Sequence, residues 1–218
     1  MKKILIGLAC CFASLVNAET LTCEDNYSLF EEIIQKKSAS NTISSESEIY
    51  DYIAKYDYSF LFNDKHPNKM YWVGKNYFAD RVSWDEYEWI SQKEYKKRIK
   101  KTAQYNSKNN EDSYHYELQP IKANVLNAVG EICIIPVQTY LVIEDDDGEK
   151  LWIEGMLVDH LFVRNLKNNE WRVLEYNSLY IKDDDFQEFF PDLPDDIKNE
   201  LHDGIIETQE ATSYSDED

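Results

Sequence analysis

The residues best suited to chemistry are an adjacent pair, Asp159-His160, set in a run of β-branched and apolar residues from Lys150 to Arg164. A carboxylate and an imidazole both serve as general bases. Neighbours along a strand point to opposite faces, so the two do not form a dyad; one faces the inside of a curved sheet and the other faces away. Tyr116, Tyr140 and Tyr176 are candidates to place a phenol beside whichever faces in. The plainer reading of Asp159 and His160 is a cross-strand polar pair or a place on a solvated rim.

Other groupings of reactive residue types are weaker. Asp145-Asp146-Asp147 and Asp183-Asp184-Asp185 cluster carboxylates as a hard cation requires, yet neither has the alternating ligand spacing and terminal glutamate of a calcium loop. The first triplet is better read as a hairpin tip. His66 and His115 stand alone, and two cysteines with scattered histidines do not make a zinc site. No glycine-rich phosphate loop and no Ser, Cys or Thr in a nucleophile context is found. Neither a metal nor a cofactor is therefore expected, and the sequence weighs against an enzyme. Trp152, Tyr176 and the acidic Asp183, Asp184 and Asp185 are instead the candidate binding residues, because Trp and Tyr dominate protein-binding hot spots.

These residues need elements to hold them. The chain has 218 residues and begins with Lys2-Lys3, an apolar run from Ile4 to Val16 and the small-residue end Val16-Asn17-Ala18. That order predicts a secretory signal peptide over residues 1–18, cleaved near Ala18, and a mature protein in the periplasm or secreted. Leu8-Ala9-Cys10 offers a lipoprotein alternative, against which the short apolar segment and Gly7 weigh. Cleavage leaves only Cys23 and Cys133, and an oxidising compartment predicts a disulfide between them, with two separate buried thiols as the alternative.

Amphipathic spacing predicts helices near Asn26 to Lys37, from Ser45 and from Ser91, the last two opened by capping boxes Ser45/Glu48 and Ser91/Glu94. The lysine-rich face of the third is expected to pair with local acids. Met70 to Phe78 is expected to be extended. Strands are expected at Tyr116–Leu126, Glu131–Glu144, Lys150–Arg164 and Glu170–Asn177, joined by short turns into an antiparallel meander with a bulge or bend at Pro136. Helices followed by a sheet give an α+β fold. Residues 19–181 are expected to form one domain, followed by an acidic C-terminal extension, 182–218. Phe186, Phe189 and Phe190 would dock this extension on the body, and its last part is expected to be disordered.

Phe78-Ala79-Asp80-Arg81-Val82-Ser83-Trp84, the Ser91-capped helix and the strand ending Asn169-Glu170-Trp171-Arg172-Val173-Leu174 together resemble the nuclear-transport-factor-2-like (SnoaL-like) cone fold, over roughly residues 28–177. That resemblance implies helices closing over a concave sheet with a pocket. It also implies a choice among isomerases, ligand binders, transport adaptors and toxin-immunity proteins, since one fold hosts many functions. Its isomerases pair a carboxylate base with an oxyanion hole of tyrosine and protonated aspartate.

Net charge separates the possibilities. With 42 acidic against 23 basic residues and a formal charge of −19, the surface repels nucleic acid and anionic lipid and attracts a basic protein. The leading expectation is an exported, non-catalytic binding protein, such as an immunity or inhibitor protein against a basic toxin or effector. The alternative is a cone-fold enzyme or small-ligand binder that uses the concave pocket.

Overall fold

Two of the three expected helices start at a serine cap. The computed structural model describes residues 21–40, 42–78, 81–108, 113–144 and 150–201; the segment expected to be a signal peptide, the Asp145-Asp146-Asp147 triplet expected at a hairpin tip and residues 202–218 lie outside the described residues. Helix α1 (Tyr27–Ser40) follows a short 3-10 turn and buries Phe30, Ile33 and Ile34, an i, i+3, i+4 stripe. Helix α2 (Glu46–Tyr56) begins at Ser45, whose hydroxyl accepts from the Glu48 N–H at 3.5 Å. Helix α3 (Gln92–Lys108) begins after Ser91, whose hydroxyl accepts from the Glu94 N–H at 3.2 Å. It buries Tyr95, Ile99 and Ala103. On its exposed face Lys97 meets Glu94 at 3.3 Å, while Arg98, expected on that face, turns inward and bonds Glu86, and Glu88 at 2.8 Å.

Between α2 and α3 the chain forms a hairpin of β1 (Lys69–Phe78) and β2 (Arg81–Ser91), a two-stranded sheet of its own. The sequence reading foresaw only the first strand. The hairpin is apolar on both faces. Tyr71 and Tyr87 turn toward one core cluster, while Trp72 and Ile90 turn toward α2 and α3.

The main sheet is antiparallel and strongly curled into a half-barrel, and the chain is mixed α and β. Its order is β3 (Ser113–Leu118), β5 (Gly130–Glu144), β6 (Lys150–Asn165) and β7 (Glu170–Glu175), with β4 (Ala123–Asn127) also pairing β5. The strand expected over Tyr116–Leu126 is thus two, lying end to end along one edge of β5 and broken around Pro120. Pro136 faces that break: its carbonyl accepts from the Gln119 N–H at 2.8 Å, and the donor it lacks would point to the same edge. The register shift falls a little further on, between Gln138 and Tyr140, with the extra residue on β6 beside Gly155. A Cβ on Gly155 would lie 2.9 Å from the Thr139 carbonyl oxygen, so the close approach there requires glycine.

The bulge changes which side chains face which way. On β6, Val158, His160 and Phe162 face α1, whereas Trp152 and Glu154, also even-numbered, face the other side. In the first tight connection, Gly130 has φ +146° and Asn127 Oδ1 accepts from the N–H groups of Val129 and Gly130 at 2.9 and 3.2 Å.

Helix α1 packs on one face of the sheet, with Phe30 stacked on Phe162 at 4.4 Å and edge-on to Trp171 at 4.8 Å. The Cys23 and Cys133 sulfurs are at disulfide distance, with Cα atoms 5.8 Å apart. Beside them Glu131, fully buried, accepts from the Cys23 N–H at 3.0 Å and meets Arg164 at 2.7 Å. The β4–β7 part of the opposite face is covered by α4 (Asp183–Phe189) and α5 (Asp195–Asn199). Phe186, Phe189, Phe190 and Leu193 share one buried cluster with Tyr58, Phe62, Tyr71 and Leu161. As far as Leu201, the segment expected to be an extension is therefore part of the core. Among the described residues no helix is long and apolar enough to cross a membrane.

Candidate ligand-binding cavity

Between the α2–hairpin–α3 layer and the α1 side of the sheet lies a cavity of about 420 Å³. Its position follows from two ties. Arg172 on β7 donates to the carbonyls of Ala54 and Asp57 at 2.6 and 3.2 Å, a cation on the end of α2. Tyr58 N–H then donates to the Val173 carbonyl at 3.0 Å, which fixes the helix end to the sheet edge. The walls are aromatic: Trp72 and Tyr87 come from the hairpin, Tyr105 from α3, Tyr52 from α2, and Tyr114 and Tyr116 from β3.

One end is polar. His160 Nδ1 lies 3.0 Å from the Val158 carbonyl oxygen and donates to it, which leaves Nε2 to accept from the Lys37 ammonium at 3.1 Å. Lys37 also bonds Glu175 and sits 5.8 Å over the Tyr116 ring. Burial first, and then the Lys37 charge, push the imidazole down to about 4, so it is neutral at pH 7. Burial alone would raise Glu175, but the Lys37 charge, joined by that of His160 once acid has protonated the imidazole, outweighs it and holds the carboxyl at about 2. Asp57, also on the cavity wall, is raised by burial, against which the Ser59 N–H and hydroxyl bond it at 2.8 and 2.6 Å.

The candidate residues separate cleanly in space. His160 and Tyr116 line the cavity. Asp159, with no exposed surface, is on the other face and meets Lys122 at 2.7 Å. Tyr140 is on that other face too and donates to Glu117 at 3.3 Å, beside the exposed Trp152. Tyr176 packs on Phe186 at 5.4 Å. Asp185 accepts from the Trp89 indole at 3.0 Å and the Tyr71 hydroxyl at 3.4 Å, while Asp183 and Asp184 are exposed in the first turn of α4. Among the described residues no group of three or more His, Cys, Asp or Glu side chains is placed to hold a metal ion.

Lys37, Tyr52, Asp57 and Glu175 were not foreseen. Lys37 closes the helix expected from Asn26, and Glu175 lies within the strand expected over Glu170–Asn177. The one local hint is a glutamate directly after the apolar Val173-Leu174. Comparison with protein-family models, curated proteins and solved structures gives no match to this chain.

Proposed function

We propose that this is a non-catalytic binding protein of cone-like architecture that holds one small, largely aromatic or apolar molecule in the tyrosine-lined cavity. The observation that carries the reading is the cavity itself. Its volume of about 420 Å³ falls in the range of small-molecule sites, and its walls mix aromatic and aliphatic side chains with polar ones, Lys75, Thr102, Asn106 and Thr139 besides the Lys37–His160–Glu175 group. The polar end supports binding rather than catalysis. Both nitrogens of His160 are engaged, and Glu175 is tied to Lys37, so neither stands ready to take a proton from a substrate. A hydroxyl or carbonyl of the ligand would bond the tyrosine phenols there.

Titration with an anilinonaphthalene sulfonate dye, followed by dye fluorescence, tests this on the purified protein. Saturable binding of one dye per chain is expected, and Ile53→Trp, which fills the cavity, should abolish it while melting stays cooperative. Binding unaffected by Ile53→Trp, or no binding at all, overturns the reading.

A second reading is favoured by charge. A chain at −19, led by a segment of secretory type, suits an exported immunity or inhibitor protein whose partner is basic, because opposite charge accelerates association. The two readings concern different surfaces and can both hold.

A further inference from the structure

The outer face of the main sheet is only half covered. Toward β4 and β7, helices α4 and α5 bury Ile132, Ile134, Leu161 and Val163. Past the bulge at Gly155 no described helix covers the same face, and the strand register places His115, Glu117, Tyr140, Val142, Trp152 and Glu154 side by side on it. The rings form a rack: His115 meets Trp152 at 5.1 Å, and Tyr140 lies 6.1 Å from Trp152 and 6.2 Å from His115. Trp152 is 52% exposed, more than any other described tryptophan or tyrosine. Glu117 and Glu154 are exposed on either side of the rack.

From this juxtaposition we infer that the bare half-face is a docking surface for an Arg- or Lys-rich segment of a partner protein, with the cationic side chains laid on the Trp152–Tyr140 rack and held by Glu117 and Glu154. The inference rests on the second reading above, that the partner is basic. Charge complementarity identifies the occupant. No lysine or arginine stands among the six residues of the face, and two carboxylates flank rings whose π-faces attract cations. Among the chain's segments outside the described residues, 202–218 is a poor occupant, since it carries six Asp and Glu and no Lys or Arg and would be repelled by Glu117 and Glu154. Tryptophan and tyrosine at the centre of a patch with a charged margin are also the residues that dominate hot spots.

The test uses a fluorescent decapeptide of alternating arginine and glycine, followed by anisotropy against the whole protein at about 50 mM salt, where screening is modest. Trp152→Ala and the double change Glu117→Lys with Glu154→Lys should each weaken binding about tenfold or more. A control with the same change in charge at exposed sites elsewhere, Glu24→Lys with Asp51→Lys, should cost less than about twofold, the remainder of long-range attraction. All of these positions are exposed, and matching melting curves exclude a folding defect. If control and face variants weaken equally, the attraction is diffuse and the docking surface is refuted while the basic-partner reading survives. If the peptide does not bind the wild-type protein, surface and reading fall together.

Discussion

Asp159 and His160, neighbours in the chain, are held by different lysines on opposite faces of one strand: Lys122 lies 2.7 Å from the Asp159 carboxylate, and Lys37 lies 3.1 Å from the His160 imidazole. One lysine closes the core under α5, since Lys122 also donates to the Glu200 carbonyl. The other closes the polar end of the cavity. A pair that reads in sequence as a catalytic candidate therefore serves two separate compartments.

Acid should destabilise the protein in two stages. His160 is depressed to about 4 in the folded state, while the unfolded chain protonates it near about 6.5. Between those values the unfolded state binds the extra proton, so stability is full above the upper value and falls as pH drops through the window. Glu175, held at about 2, adds a further loss below the ordinary glutamate value. Urea midpoints from about pH 7 to about pH 4 should fall, and Lys37→Met should flatten the decline by letting His160 titrate nearer its ordinary value. A midpoint independent of pH would refute the assignment of His160.

Lys122→Met should be among the most damaging single changes near the surface. It removes the Lys122 ammonium from the fully buried Asp159, and breaking a buried ion pair by removing one partner costs about 3–5 kcal/mol. Asp159→Asn in the same background should recover part of the loss, because the replacement carries no charge. Denaturant melts of the single and double variants measure both effects.

The Cys23–Cys133 bond closes a loop of 110 residues and is buried at both ends. Changing both residues to serine should cost up to roughly 4–5 kcal/mol on a chain-entropy estimate. Because both sulfurs are enclosed, a reductant should have little effect on the folded protein and should act only as the chain unfolds. Melting temperatures with and without reductant, for wild type and double variant, show whether that is so.

Gly155→Ala should destabilise by about 1–3 kcal/mol, since the new methyl group meets the Thr139 carbonyl at 2.9 Å and forces the two strands apart. Because the bulge sets which way Trp152 points, the indole emission of the variant should also shift. An unchanged melt with unchanged emission would show that the bulge is dispensable.

What could be read from the sequence was what is local. Serines at 45 and 91, each three residues before a glutamate, located two helix starts, and the Leu29/Phe30/Ile33/Ile34 stripe located the inner side of α1, where all but the half-buried Leu29 are buried. Strand β2 was passed over although Glu86 and Glu88 alternate with Tyr87 and Trp89, since apolar Ile90 and a charge-rich lead-in blur the period of two. The break at Pro120 was legible from the missing donor but was spanned by the β-branched and apolar residues on either side. The cavity was barely legible, because Lys37 and Glu175 are 138 positions apart and meet only after α1, the sheet and their curvature exist. Nothing in the local pattern of either residue encodes the other.

Phe186 and Phe189 of α4 and the adjoining Phe190 follow every strand of the sheet in sequence, yet they belong to the largest buried cluster among the described residues. A ribosome that has made everything up to β7 has produced a sheet with one oily face still open. The core on that face therefore cannot close until the segment carrying Phe186, Phe189 and Phe190 has been made. Until then the nascent chain is a client for whatever shields exposed apolar surface in the cell, and a premature stop anywhere before Phe186 should yield an aggregation-prone fragment rather than a smaller working domain.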